Sequence, residues 1–191
     1  RGIPVTGFDT GPGNLLMDGW ATKHLGTAFD TDGLWGGGGN IQEALLNALL
    51  GDPFFKLKPP KSTGREYFNQ RWLDKTLNGM SCISSPQDIQ ATLCELTACS
   101  ISTAITNHAP QAQEILVCGG GVHNNTLMLR LKNHLPDRHL DSTGAFGLHP
   151  DWVEAAAYAW LAKQTLEGKP GNLPSVTGAR HPVVLGGVYK A

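Results

Sequence analysis

Gly7-Phe8-Asp9-Thr10-Gly11-Pro12-Gly13-Asn14 lies between an apolar lead-in, with Ile3 and Val5, and a helix-like run over residues 15–25. The lead-in predicts a short strand. A strand that ends in a glycine-rich turn and opens a helix forms an anion site, because glycines let the backbone approach a phosphate and the helix N-terminus presents free N–H groups. Asp9 adds a hard oxygen ligand able to hold Mg²⁺. The stretch predicts a nucleotide-phosphate site; a plain turn is the alternative, since Asp, Pro and Gly are common turn residues.

Length and composition describe an ordinary globular chain. The 191 residues are 40% hydrophobic and 16% charged, with a net charge of −1, and suffice to bury a core. The chain has no excess of basic residues of the kind that binds nucleic acid. No apolar run approaches the length of a membrane span. Because the chain begins at Arg1 and enters its first predicted strand almost at once, we expect it to be cut from a longer protein.

The four cysteines, Cys82, Cys94, Cys99 and Cys118, show no metal-type spacing and lie in or beside apolar segments. We therefore predict buried free thiols, which are typical of a reducing compartment. The expected location is the cytoplasm.

Helical and strand patterns alternate along the chain, which predicts the α/β class. Asn14 is the expected N-cap of the first helix, and Ser85 with Pro86 marks the start of a long central helix. The acidic and glycine-rich segment 29–39 is interpreted as loop. The predicted helices cover residues 15–25, 40–50, 85–107, 127–135 and 152–167, and the predicted strands cover residues 114–118, 138–142 and 182–189.

A second glycine turn, Gly119-Gly120-Gly121, follows the predicted strand 114–118. Glycines at the carboxyl end of a parallel strand allow adenine or ribose to lie against the backbone. The spacing does not match the dinucleotide fingerprint, because the third glycine is missing at the required offset. His123, just beyond, is equally well interpreted as a loop residue or as a ligand contact.

Two polar stretches leave alternatives open. Residues 61–68 are dense in charge and hydroxyl groups, and form either a solvated loop that caps a short helix or a cluster of donors for sugar, carboxylate or phosphate. Residues 151–154 have the pattern of a capping box. Glu154 is then either the box partner of its cap or a carboxylate that faces a ligand.

The two glycine turns match the layout of one lobe of an actin-like or sugar-kinase ATPase, in which the first turn handles phosphate and the second handles adenosine. Four motifs together closely resemble, in the right order, the C-terminal half of anhydro-N-acetylmuramic acid kinase. They are Gly7 to Asn14 with Leu16-Met17-Asp18, Lys61-Ser62-Thr63-Gly64-Arg65-Glu66-Tyr67-Phe68-Asn69, Cys118-Gly119-Gly120-Gly121, and Gly171-Asn172-Leu173-Pro174-Ser175-Val176-Thr177-Gly178-Ala179.

The resemblance implies that residues 1–191 are the C-terminal lobe of an actin-like, ribonuclease-H-like sugar kinase, with a central mixed sheet flanked by helices. It also implies a cytoplasmic bacterial enzyme, dimeric when intact, that recycles cell-wall sugar. ATP and Mg²⁺ would serve to open the ring of 1,6-anhydro-N-acetylmuramic acid with water at C1 and to phosphorylate O6, which yields N-acetylmuramic acid 6-phosphate. No nucleic acid or membrane partner is implied.

The resemblance also assigns site residues. Asp9 is expected near Mg²⁺, with Thr10 and Gly11 near the β- and γ-phosphates and Gly13 and Asn14 in the same turn. The adenosine motif is Gly119, Gly120 and Gly121, and the candidates for sugar contact are Arg65 and Glu154.

The family's first phosphate loop, of the type Gly-Thr-Ser-x-Asp-Gly, and its catalytic Asp-Phe-Arg stretch belong to the N-terminal half. Neither string occurs in the 191 residues. We therefore expect the general base in an N-terminal lobe and an isolated chain that is inactive. Two alternatives are a kinase of the same superfamily for another sugar, and a non-catalytic actin-like module for nucleotide binding or assembly.

Overall fold

The computed structural model describes residues 5–80 and 85–189, so the predicted strand residue Ile3 and the thiol of Cys82 lie outside it. Within these ranges the chain is an α/β structure with many helices and a small parallel sheet. The elements are α1 (Leu15–Leu25), α2 (Leu34–Gly37), α3 (Glu43–Leu50), α4 (Pro53–Lys56), α5 (Gln70–Asn78), α6 (Pro86–His108), β1 (Glu114–Val117), α7 (Asn125–His134), β2 (His139–Ser142), α8 (Val153–Leu166) and α9 (Pro174–Thr177).

Helix α6 is the centre of the structure, as its sequence predicts. Ser85 caps it by accepting a 3.1 Å hydrogen bond from the Asp88 backbone N–H, and Pro86 occupies the first turn. Its side chains are buried along most of its length, because α1, α2, α3 and α7 pack around it. Leu93 and Leu96 are almost fully buried there. None of the described helices is long and apolar enough to cross a bilayer.

The sheet is smaller than expected. Strands β1 and β2 are connected by α7 and pair directly with each other in parallel, with Glu114 opposite His139 and Val117 opposite Ser142. Over the described residues they form the whole sheet, so the predicted mixed sheet is not found. The strand predicted over residues 114–118 is found as β1, but its apolar sequence is not buried as expected, because β1 alternates between exposed and half-buried residues and Leu116 remains 40% exposed.

Two segments predicted as strands lack ladder partners. The lead-in to the first glycine turn, described from Val5, makes no ladder bond among the described residues, and the nearest backbone-to-backbone bond runs from Asp9 N–H to the Lys61 carbonyl. In residues 182–189, Val183 is bonded to Asn172 and Gly171, the Leu185 carbonyl accepts from the Thr165 hydroxyl, and Gly186 turns the chain at φ +79°. Neither segment therefore forms a strand.

The glycine-rich segment is packed rather than a loose loop. Thr31–Gly33 form a 3₁₀ turn that leads into α2, and the glycines that follow pass close to α6. A Cβ on Gly39 would overlap the carbonyl oxygen of Gln87. The interpretation as flexible loop was wrong because these glycines permit close contact between backbones.

Candidate functional site

The first glycine turn is anchored to the central helix. Gly11 lies against Ser100, and the Gly13 carbonyl accepts a 2.8 Å hydrogen bond from the Thr97 hydroxyl, which is buried on α6. Asn14 occupies the N-cap position of α1, as predicted, and its carbonyl accepts from Asp18 N–H. Its side chain makes no capping bond, however, so that part of the prediction was wrong.

The Asn14 side chain instead lies beside the second glycine turn. Its Oδ1 is 3.2 Å from the place a Cβ on Gly121 would occupy, and its Nδ2 is 3.8 Å from the corresponding place on Gly120. The two glycine turns therefore meet in space although they are far apart in sequence. Gly119 starts the second turn with φ +76°, and its N–H donates to the Pro150 carbonyl.

A cavity of about 400 Å³ opens where the two turns meet. This is the size of pocket that takes a small organic ligand. Its wall combines the N-terminal half of α1, the segment before α2 and the turn before α7. The lining residues are Asn14, Asp18, Phe29, Asp30, Thr31, Asp32, Gly120, His123 and Asn124.

Three carboxylates of this wall have different environments. Asp30 is buried, and its two oxygens accept hydrogen bonds from the backbone N–H groups of Trp35 and Gly36, so it serves the fold of α2. Burial raises the pKa of the half-buried Asp18 carboxyl. Asp32 is exposed, at φ +55°. Asp18 and Asp32 are the two acidic groups available to a ligand in the cavity.

His123 and Asp151 form a polar pair at the edge of the cavity. His123 Nε2 lies 2.8 and 3.0 Å from the two carboxylate oxygens of Asp151. The predicted capping box at 151–154 was therefore wrong, because Asp151 binds His123 and Trp152 is the N-cap residue of α8, without a side-chain bond. Glu154 stands exposed in the first turn of α8 and does not line the cavity.

Asp9 lies outside the lining of this cavity. Its backbone N–H donates to the Lys61 carbonyl, and one carboxylate oxygen accepts from the Ser62 hydroxyl at 2.9 Å and from the Thr63 N–H at 2.8 Å. The second oxygen has no hydrogen-bond partner among the residues described. Thr10 faces a smaller depression of about 80 Å³, which Lys61 also lines.

Asp52 fixes the polar stretch 61–69 through hydrogen bonds to that stretch and to the residues that flank it. Its carboxylate accepts hydrogen bonds from the Tyr67 hydroxyl at 2.7 Å, the Trp72 indole N–H at 2.8 Å and the Phe54 N–H at 2.8 Å. Burial alone would raise the pKa of the Asp52 carboxyl, but these bonds outweigh it, so the pKa lies below its usual range.

The stretch is therefore neither a free solvated loop nor an open array of donors. Phe68 is fully buried, and Lys61 donates to the Phe54 carbonyl at 3.2 Å. Asn69 caps α5 by accepting from Trp72 N–H. Arg65 is exposed and does not line the cavity.

Several residues of the cavity were not predicted from sequence. Asp18 lies in the first turn of a helical pattern and was quoted in the first motif without a role, and the segment containing Phe29, Asp30 and Asp32 was interpreted as loop. The only sequence signal there is a pair of acids near an aromatic residue. The prediction that all the cysteines are buried was also wrong, since the Cys118 thiol is exposed whereas Cys94 is buried.

Comparison with known proteins identifies the family. The sequence model of the family described as anhydro-N-acetylmuramic acid kinase matches residues 1–191. The chain is 52% identical to the anhydro-N-acetylmuramic acid kinase of Chromohalobacter salexigens, an alignment that covers 99% of this chain and 51% of that protein. It is 51% identical to that of Pseudomonas syringae pv. syringae, over 98% of this chain and 51% of the relative.

The kinase of that name from Thiobacillus denitrificans is 49% identical, over 98% of this chain and 50% of the relative. The chain thus spans about half the length of the curated relatives it matches. With the family model matched from end to end, this chain belongs to the anhydro-N-acetylmuramic acid kinase family.

Proposed function

We propose that this chain is the C-terminal, nucleotide-binding lobe of an actin-like, ribonuclease-H-like sugar kinase. The full enzyme would use ATP and Mg²⁺ to open 1,6-anhydro-N-acetylmuramic acid and phosphorylate its O6, in the recycling of cell-wall sugar in the cytoplasm. The observation that carries this proposal is the contact of Asn14, at the end of the first glycine turn, with Gly120 and Gly121 across one cavity.

The charges of the cavity favour the uncharged part of the nucleotide. Asp18 and Asp32 would repel phosphate, whereas carboxylates accept hydrogen bonds from ribose hydroxyls and from the amino group of adenine. Phe29 supplies an apolar surface for a base. We therefore assign the nucleoside to this cavity, with Gly119, Gly120 and Gly121 along its backbone.

The phosphates then belong on the side of the first turn, near Thr10, Gly11 and Gly13. Asp9 fits the requirements of a Mg²⁺ ligand, because it is exposed, one oxygen is fixed by Ser62 and Thr63, and the other is available to a hard cation. Bound Mg²⁺ would neutralise charge on the phosphate oxygens. Arg65 remains our candidate for sugar contact, and Glu154 is a second candidate.

A second lobe would complete the active site and supply the general base. The relatives are about twice as long as this chain, which provides the material for such a lobe. Helix α8 has the surface expected where a second lobe packs. The aromatic side chains on it and at its N-cap are exposed in this chain: Trp152 by 65%, Tyr158 by 70% and Trp160 by 52%. Aromatic residues spread around a helix are typical of buried surfaces. We propose that the N-terminal lobe covers α8, in an enzyme that is a homodimer.

Calorimetry on the 191-residue chain tests the nucleotide assignment. Adenosine, and ATP with and without Mg²⁺, should bind, and Asp18→Asn should weaken adenosine and ATP by similar factors because both present the same nucleoside. Asp137→Asn, an exposed change outside the cavity, is the matched control. Absence of binding to adenosine and ATP in the folded chain would contradict the assignment, as would ATP binding that Asp18→Asn leaves unchanged.

The kinase assignment needs the full-length enzyme. Asp9→Asn there should lower the Mg²⁺-dependent rate of ADP release with anhydro-sugar far more than it lowers the melting temperature. The isolated chain should show no turnover in the same assay. Equal loss of rate and stability would make Asp9 a structural anchor for residues 62 and 63, and turnover by the isolated chain would place the base within these residues.

A further inference from the structure

Helices α6 and α7 bring together a polar cluster away from the nucleotide cavity. Glu95 and Cys99 are four residues apart on α6, and Arg130 and His134 are four residues apart on α7, so each pair faces the other helix from one side. Glu95 Oε2 accepts a 2.6 Å bond from Arg130, and Glu95 Oε1 lies 2.6 Å from His134 Nε2.

The charged members of the cluster are explained by pairing, but the thiol is not. Cys99 Sγ lies 3.5 Å from Glu95 Oε1 and 3.6 Å from His134 Nε2. Burial and the neighbouring Glu95 carboxylate raise the pKa of the Cys99 thiol to about 12, so without a cation the sulfur is a protonated, weak hydrogen-bond donor. A thiol is not required for the contacts of Arg130 and His134 with Glu95.

The three atoms that converge are those of a mixed sulfur, nitrogen and oxygen metal site. With Zn–S of about 2.3 Å and Zn–N of about 2.0 Å, tetrahedral geometry places sulfur and nitrogen about 3.5 Å apart, and sulfur and oxygen about the same. The two sulfur distances agree with these values. The nitrogen-to-oxygen distance is shorter, since a hydrogen bond joins the pair, and the partly exposed His134 ring would swing outward to admit an ion.

We propose that Glu95, Cys99 and His134 form a Zn²⁺ site that links α6 to α7. Zn²⁺ takes this set of ligands, with Cys99 bound as the thiolate and its proton released to solvent. His134 would bind through Nε2 in place of its hydrogen bond to Glu95, with the ring proton carried on Nδ1 instead. Arg130 holds the second oxygen of Glu95 and so orients the carboxylate from outside the ligand set.

The fourth position of the ion faces solvent. A depression of about 460 Å³ runs along the cluster, lined in part by Glu95, Arg130, Asn133 and His134, and it leaves room for a water ligand. The site thus has three protein ligands and one open position, which is an arrangement that Zn²⁺ adopts in proteins. Asn124, at the start of α7, lines the nucleotide cavity. An ion that fixes α7 against α6 would therefore also restrict the movement of this part of the cavity wall.

Titration of the 191-residue chain with Zn²⁺ and with Co²⁺ tests the site. One equivalent should bind with release of a proton and raise the melting temperature, and Co²⁺ should produce a near-ultraviolet thiolate-to-metal charge-transfer band. Cys99→Ser should abolish the band, and His134→Gln should weaken affinity at least tenfold. Cys118→Ser, which removes an exposed thiol elsewhere, should leave binding unchanged.

The proposal is overturned if no charge-transfer band forms in the folded chain, or if the band survives in Cys99→Ser. It is also overturned if Cys118→Ser removes the band, since another thiol would then be the ligand. Circular dichroism establishes that each variant is folded. If Cys99→Ser does not fold, loss of affinity in folded His134→Gln supports the site and unchanged affinity overturns it.

Discussion

The amide of Asn14 lies against Gly121, with Oδ1 3.2 Å from the place where a Cβ on that glycine would stand. This contact joins the end of the first glycine turn to the second across the cavity. The N-cap residue of α1 thus forms part of the cavity wall. Its side chain does not cap the helix, and of the first N–H groups that of Leu15 donates to the Pro12 carbonyl. Free N–H groups at a helix start are available to an anionic ligand.

Gly121→Ala should weaken nucleotide binding with little effect on folding. The new methyl group would press on Asn14 and lie 3.6 Å from Leu127, so the Asn14 side chain must shift. We expect about a tenfold loss of ATP affinity, equivalent to ~1.4 kcal/mol, measured by calorimetry on the 191-residue chain.

Gly19→Ala is the matched control for that substitution. Gly19 lies on α1 near Asn14, but a Cβ there meets no atom within 4 Å, so nucleotide affinity should not change. Stability should rise by up to about 1 kcal/mol, because alanine favours a helix interior. An equal loss of affinity in both variants would contradict the role assigned to the Asn14–Gly121 contact.

Local signals predicted the elements whose ends are marked by caps. Ser85 with Pro86 marks the start of α6, and Gly26 ends α1 in the left-handed conformation at φ +71°. Such signals act over a few residues and need no tertiary information. By contrast, the lead-in with Val5 and residues 182–189 were predicted as strands from their apolar composition, but a strand also requires a partner, which local sequence does not specify.

The same difference between local signals and distant contacts explains why only part of the candidate site was predicted. Each glycine turn is a local pattern, but the acids that complete the cavity were not assigned to it: Asp18 belongs to the first motif without a predicted role, and Asp32 comes from a segment interpreted as loop. The Glu95–Cys99–His134 cluster joins two helices that residues 109–124 separate in the chain, and the spacing of cysteines alone gives no indication of it. Contacts between distant segments depend on packing, which a motif does not encode.

Asp52→Asn should loosen the segment that precedes α5. The carboxylate accepts three hydrogen bonds, from Phe54, Tyr67 and Trp72, and an amide nitrogen cannot accept where an oxygen did. We expect the free energy of unfolding in urea to fall by about 2 kcal/mol, with a reduced near-ultraviolet aromatic signal. Asp137→Asn, at an exposed position, should stay within about 0.5 kcal/mol of the parent. Equal values for both would contradict the role of Asp52.

Glu95 should make the chain sensitive to acid. Burial would raise the pKa of its carboxyl, but the bonds from Arg130 and His134 outweigh burial and hold the pKa below its ordinary value of 4.5. The unfolded state therefore takes up the proton first, so this stabilisation is present above pH 4.5 and is lost as pH falls through the lower, folded-state pKa.

Urea unfolding between pH 7 and pH 3, with a chelator present, measures this effect. Glu95→Gln should cost about 3 kcal/mol at pH 7, because it leaves Arg130 without its charged partner, and the loss should shrink towards low pH. A variant with the same acid dependence as the parent would show that other carboxyls cause it.

Gly39→Ala should destabilise the packing of the glycine segment on α6. A Cβ there would overlap the backbone carbonyl of Gln87, which cannot move without disturbing the helix. The expected loss is about 1–3 kcal/mol in the free energy of unfolding. Gly79→Ala is the control, since its Cβ would lie 3.4 Å from the Thr76 carbonyl oxygen, an ordinary contact at φ −84°. If Gly39→Ala unfolds at the same urea concentration as Gly79→Ala, then segment 36–39 does not pack closely on α6 in solution.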